Sequence, residues 1–142
     1  MTRTSSLWVP LASALFGILV AAAPSARSAP APGDVTAGQK LYEAKCGGCH
    51  TLDANRVGPL HRGVVGRRPG VAPGFNYSTA VKALGGVWTP ARLDQWLQGP
   101  QAMAPGARMY FSVPESSQRG DIIAYLASVS PPPPEAAHHH RH

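Results

Sequence analysis

The stretch "KCGGCHTL", Lys45 to Leu52, constrains this chain more than any other. It holds both cysteines of the 142 residues, Cys46 and Cys49, with His50 directly after the second. Four chemistries use two thiols at this spacing. A disulfide suits an exported chain with an even cysteine count, but so short a loop removes little freedom from the unfolded chain. A thioredoxin-like redox pair needs a βαβ setting, and no stretch alternates strongly enough to read as a strand. A zinc site needs four ligands, usually paired across the chain; only His61 and the C-terminal histidines could complete one. Covalent haem attachment, for which C-x-x-C-H is the recognised pattern, explains the spacing. Two thiols add across two vinyl groups on one porphyrin edge, and the adjacent histidine lies beneath the iron. A second axial ligand is then expected downstream, and methionine sulfur is a common choice that raises the potential. Met103 and Met109 both qualify, although core filling is the ordinary use of methionine.

The N-terminal residues are not read as fold. Met1–Ser6 carries Arg3 and no acid, Leu7–Ala23 is apolar, and small residues and prolines follow. That is the plan of a secretory signal. Ala26-Arg27-Ser28 is the best small-x-small site, which assigns residues 1–28 to the signal, with the cleavage point good to several residues. An uncleaved anchor is the alternative. However, Pro10 and Ser13 interrupt the apolar run, which is shorter than the roughly 20 residues that span a bilayer. Residues 29–33 read as linker, 34–130 as the folded unit, and 131–142, "PPPPEAAHHHRH", as a disordered Pro/His-rich tail. Beyond residue 28 there are 11 basic and 7 acidic residues. The basic ones are scattered rather than gathered into a patch, which speaks against nucleic-acid binding. The expectation is an exported protein of the periplasm, soluble after cleavage and monomeric.

Three segments carry helix signals. Asp34 can cap "VTAGQKLYEAKC". Thr89 is an N-cap followed by Pro90 at the first helical position; it opens "ARLDQWLQ", with Leu93, Trp96 and Leu97 on one face and Gly99-Pro100 as the stop. "SSQRGDIIAYLASV" places Ile122, Tyr125, Leu126 and Val129 at helical spacing. A further short helix is expected at 79–84. With 15 glycines and 15 prolines, the rest reads as long loops, which need something to pack on. The fold class is therefore all-α, with about three to five helices.

At this point the residues resemble a family. Besides Cys46–His50, the segments "GPLHRGVVGR" (Gly58–Arg67), "APGFNYSTA" (Ala72–Ala80), "GGVW" (Gly85–Trp88), "GPQAMAPGARMYF" (Gly99–Phe111) and "RGDIIAYL" (Arg119–Leu126) follow in one order. Together they resemble class I cytochrome c, of the mitochondrial cytochrome c and bacterial cytochrome c2 type. The resemblance implies the class I cytochrome c fold, wrapped around one covalently attached haem c. It implies Cys46 and Cys49 as the thioether residues, His50 as proximal ligand and Met109, in Pro105-Gly106-Ala107-Arg108-Met109, as distal ligand. It implies that the Pro59 carbonyl receives the ring N–H of His50. It places Arg67, Tyr77 and Trp88 about a buried propionate, and Phe111 beside the exposed haem edge. Gly38 and Tyr42 are expected to cross the last helix near Ile122 and Tyr125. His61 reads as a loop residue rather than a ligand. Three positions depart from the family pattern: Trp96 stands for its tyrosine near the methionine sulfur, Val81 for an asparagine, and Ala107 for a threonine. A buried water normally organised there is therefore not implied.

The function implied is one-electron transfer rather than catalysis, with iron cycling between Fe(II) and Fe(III). Partners would be membrane or soluble redox enzymes: a quinol–cytochrome c reductase, a terminal oxidase, a photosynthetic reaction centre or a periplasmic dehydrogenase. The rival is a haem enzyme or sensor for peroxide, NO or CO with a labile distal ligand.

Overall fold

The first helix begins at the residue equipped to start it. Asp34 is extended, and its carboxylate accepts from Ala37 N at 2.7 Å, satisfying one of the free N–H groups of a helix start. The structure, a computed structural model, describes residues 33–131. The signal, nearly all of the linker and all but the first residue of the tail lie outside the described residues.

Among the described residues the architecture is all-α. Its helices are α1 Val35–Lys45, α2 Thr79–Lys82, α3 Pro90–Gln98, α4 Pro100–Met103 and α5 Ser116–Ser128. The three long helices fall where caps and periodicity put them. Thr89 Oγ1 accepts from Arg92 N at 3.2 Å, with Pro90 in the first turn. The short helices differ from expectation. α2 stops at Lys82 rather than residue 84, and Gly99-Pro100 does not simply end α3. Gly99 caps α3 at its C-terminus and α4 at its N-terminus, in an extended conformation that turns the chain, and Pro100 opens α4. A proline that cannot continue one helix is well suited to begin the next.

α1 and α5 cross closely. A Cβ at Gly38 would lie 1.9 Å from Asp121 O, so the crossing needs a residue without a side chain there. The Tyr42 and Tyr125 rings pack beside it, centroids 5.3 Å apart, and Asp34 N donates to Asp121 Oδ1 at 2.8 Å. α3 is tied to α5 by Arg119, whose Nε reaches Asp94 Oδ1 at 2.6 Å while Nη1 donates to the carbonyls of Val113 and Pro114. The main core contains Tyr42, Trp88, Leu93, Leu97, Ile122 and Leu126, and a second cluster of Val81, Ala104 and Ala107 adjoins it through Trp96. The loops from residue 46 to 78 and from 104 to 115 close over a cavity bordered by these clusters.

Candidate functional site

The thiol motif lies at the end of α1. Cys46 caps that helix, its N–H bonded to Tyr42 O. Cys46 O then accepts from Cys49 N at 3.0 Å and His50 N at 2.9 Å, so one tight turn carries both sulfurs and the imidazole. Both cysteines are free, Cys46 half-buried and Cys49 exposed. Burial pushes the Cys46 thiol up to about 11, against the opposing pull of Lys45. No group of three or more His, Cys, Asp or Glu that could hold a metal ion comes together among the described residues, so the zinc alternative finds no ligand set there.

All of the site residues read from the sequence line one cavity of about 390 Å³: Cys46, Cys49, His50, Pro59, Arg67, Tyr77, Trp88, Met109 and Phe111. Met103 does not line it; it packs on the main core. His50 is buried, and its Nδ1 lies 2.8 Å from Pro59 O. A carbonyl only accepts, so Nδ1 carries the proton and Nε2 keeps its lone pair for a metal. Burial lowers the His50 pKa, with the Pro59 carbonyl working against it. Gly58 abuts the ring: a Cβ there would sit 2.1 Å from Cε1 and 2.5 Å from Nδ1. The approach of this backbone to His50 is possible only for glycine.

His61, read from the sequence as a loop residue, belongs to the site. Its ring stacks on that of His50, centroids 4.0 Å apart and planes 17° from parallel, and its Nδ1 lies 3.2 Å from the hydroxyl of buried Tyr42. Burial, then the His50 and Arg67 charges, holds its pKa well below the ordinary histidine value. The signal for it was its spacing. Gly58 and Pro59 both contact His50, and a residue two further on is still within reach.

Arg67 and Trp88 are brought together by the backbone. Trp88 N donates to Arg67 O and Gly66 N to Trp88 O, both at 2.8 Å. The Arg67 guanidinium donates to Leu60 O at 2.7 Å and Arg62 O at 3.0 Å, and burial lowers its pKa. Burial raises that of Tyr77, which packs edge-on against Phe75 at 4.8 Å. These three polar side chains in a largely apolar cavity suit a flat apolar cofactor with a few acidic substituents.

On the other side of the cavity, Trp96 Nε1–H donates to Met109 Sδ at 3.2 Å. The indole thus keeps a donor at the sulfur where the family has tyrosine. The loop carrying Met109 is held by Gln101, which sequence reasoning missed. Its Nε2 donates to Ala107 O at 2.6 Å and Met109 O at 2.9 Å, and its Oε1 accepts from Gly106 N. The cavity mouth has exposed apolar side chains: Val57 at 77%, Tyr110 at 79% and Phe111 at 45% exposure. Two thiols one turn apart, an imidazole with a free Nε2 and a thioether on one cavity fit haem c.

Comparison with known proteins agrees. The family model described as cytochrome c matches residues 35–130. The chain is 46% identical over 105 residues to cytochrome c2 of Rhodopila globiformis, covering 72% of this chain and 98% of that protein. It is also 46% identical over 96 residues to the cytochrome c-type cyt cy of Rhodobacter capsulatus, covering 66% of this chain but only 48% of that protein. Among solved structures, cytochrome cH from Methylobacterium extorquens superposes with a TM-score of 0.65 at 41% identity, covering 68% of this chain and 99% of that one. Ferricytochrome c2 from Rhodopseudomonas palustris gives 0.64 at 34% identity, covering 68% and 98%. With the all-α fold, the cavity and these matches in agreement, the chain is a member of the class I cytochrome c family, whose cofactor is one covalently attached haem c.

Proposed function

We propose that the protein is an exported one-electron carrier of the periplasm, soluble after signal cleavage and monomeric. Haem c, when bound, supplies reversible one-electron exchange at its iron. Cys46 and Cys49 would hold it covalently, His50 Nε2 and Met109 Sδ would be its axial ligands, and Arg67, Tyr77 and Trp88 would accommodate its acidic substituents. The Pro59 carbonyl keeps the Nδ1 proton of His50 in place, which fixes the tautomer and strengthens the imidazole as a donor. Trp96 holds the thioether, and Gln101 the backbone of its loop, from the other side.

A single observation carries this reading: one cavity is lined by both His50, with its Nε2 free, and Met109, whose sulfur is anchored by Trp96. His50 and Met109 would then both hold the iron, which would leave no site for a substrate. That favours a carrier over the enzyme or sensor reading. The mouth residues Val57, Tyr110 and Phe111, with exposed Lys45 and Arg108 at the cavity, fit brief docking on acidic faces of redox enzymes. Such encounters are small and steered by charge. A quinol–cytochrome c reductase, a terminal oxidase, a reaction centre or a periplasmic dehydrogenase would all serve.

Two measurements test this. Acid-acetone extraction should leave the colour with the protein; release of the haem would remove the covalent claim. The visible spectrum of the reduced protein should be unchanged by CO. Prompt formation of a CO adduct would favour the enzyme or sensor instead.

A further inference from the structure

Among the described residues, His61 is the aromatic group stacked on His50, and the electron-carrier reading assigns it no task. The residues about it form a connected set. Over four positions, the chain from Gly58 to His61 wraps the His50 imidazole: Gly58 lies against Cε1, Pro59 O takes the Nδ1 proton, and the His61 ring stacks 4.0 Å away. His61 is itself anchored. The Tyr42 hydroxyl is 3.2 Å from its Nδ1, and Tyr42 is only 4% exposed, packed on Tyr125 where α1 crosses α5.

One hydrogen bond cannot hold an imidazole plane. The Pro59 bond fixes the tautomer and one edge of the ring, but the torsion about Cβ–Cγ is an sp³–sp² torsion with a broad minimum. Rotation about it would tilt the ring while keeping Nδ1 near the carbonyl. A second ring stacked nearly parallel blocks that tilt, provided it cannot turn as well. An aliphatic side chain would fill the same volume without defining a plane. The Tyr42 hydroxyl supplies the missing restraint, since its hydrogen bond with Nδ1, whichever of the two atoms carries the proton, holds the His61 ring at one edge.

We propose that His61 is a positioning residue for His50: together with Tyr42 it sets the plane of the proximal imidazole, and through that plane the electronic asymmetry of the iron. This rests on the reading of His50 as the proximal ligand. Pro59 then determines which nitrogen binds, while Tyr42 and His61 determine how the ring is turned. The helix crossing that closes the fold thereby reaches the metal through two side chains.

The test uses the ferric holoprotein and three variants. His61→Leu removes the ring, His61→Phe keeps a ring but loses the hydrogen bond to Tyr42, and Tyr42→Phe keeps the packing but loses the hydroxyl. EPR g-values of the low-spin ferric signal respond to the axial ligand planes, and the reduction potential is recorded beside them. The expected result is a displacement of the g-values beyond the wild-type line width, and a shift in potential, in all three. It should be largest in His61→Leu and of the same sign in Tyr42→Phe. A purely structural role would lower the thermal midpoint and leave g-values and potential in place. Unshifted g-values in Tyr42→Phe and His61→Phe would overturn the proposal even if His61→Leu gave no holoprotein. The underlying reading has its own control: a His50→Ala protein that retained the wild-type low-spin signal would remove His50 as ligand.

Discussion

His50 and Met109 line the same cavity, yet the chain holds them by different means. His50 sits one turn beyond α1, and the groups around its ring are nearby in sequence: a backbone carbonyl at Pro59, a bare backbone at Gly58 and a ring at His61. Met109 lies in a loop after a four-residue helix and is held by side chains at similar sequence separation, Trp96 on its sulfur and Gln101, from that helix, on its carbonyl. Backbone contacts tolerate little, because the chain cannot rotate away as a side chain can. The His50 side should therefore fail abruptly when crowded, and the Met109 side should loosen by degrees.

Gly58→Ala should give the largest effect. Its Cβ would fall 2.1 Å from His50 Cε1, far inside contact, and neither the ring nor the backbone is free to retreat. Overpacking of this kind costs about 1–3 kcal/mol or more. The expected outcome is loss of most holoprotein, with any that forms having altered His50 ligation. The measurement is haem content per chain together with the ferric spectrum. Normal yield and spectrum would mean that the loop shifts freely, and the contrast between the two sides would collapse.

Gln101→Ala comes next and acts on the other side. It removes both donors to the loop, leaving the carbonyl of Ala107, a residue with no exposure at all, without its 2.6 Å partner. An unpaired buried acceptor costs about 1–3 kcal/mol. Haem should still attach, but the thioether-to-iron charge-transfer band should disappear at a lower temperature than global unfolding. Simultaneous loss of band and fold would show that the two sides are one cooperative unit.

The same contrast explains what could be read in advance. The long helices announce themselves through Asp34 and Thr89 at their starts and the spacing of Ile122, Tyr125 and Leu126. The close approach at Gly38 follows from the family pattern and is present in the structure. α4 was not legible, because four residues carry no period and Gly99-Pro100 reads equally as a stop. The expected site residues do line one cavity, as local motifs allow. Gln101 was hidden because its partners, Ala107 and Met109, are joined to it only by the folded loop. His61 does lie in a loop, but its packing on His50 was not legible, because a histidine among glycines and arginines has the composition of a surface loop. What covers part of it is contact with His50 and with Tyr42, the latter nineteen residues earlier in the chain.

Trp96→Phe should have a smaller effect. It keeps the packing against Trp88, whose ring centroid is 5.4 Å away, and deletes only the N–H to the sulfur. A hydrogen bond of this class contributes about 0.5–1.5 kcal/mol at most. It also draws electron density from the sulfur. Without it the thioether should be a stronger donor, the ferric state should gain, and the reduction potential should fall modestly. Voltammetry of the two proteins side by side measures this. An unchanged or raised potential would mean that the indole N–H does not tune the sulfur.

The smallest effect belongs to the outer face of the His50 loop. There Arg62 binds the Asp53 carboxylate through two nitrogens, Nε to Oδ1 at 2.5 Å and Nη2 to Oδ2 at 2.9 Å. The two side chains are 49% and 69% exposed, so water and salt screen the pair, and exposed pairs of this kind contribute little. The Arg62 hydrogen bond lowers the Asp53 pKa below its ordinary 3.8. A carboxylate with a depressed folded-state pKa stabilises the fold above its unfolded value, and that stability is lost as pH falls through the folded one. Arg62→Ala should thus unfold at a slightly lower urea concentration than wild type at about pH 7. The two curves should converge below the folded pKa of Asp53, and should also converge at neutral pH in about 1 M salt, where the screening length is only about 3 Å. A difference that survives both treatments would have another source. Arg62 O accepts a hydrogen bond from Arg67, so the substitution would then be acting through the backbone that lines the cavity. This loop would be rigid through to its solvent face, and its contrast with the looser Met109 side would be sharper still.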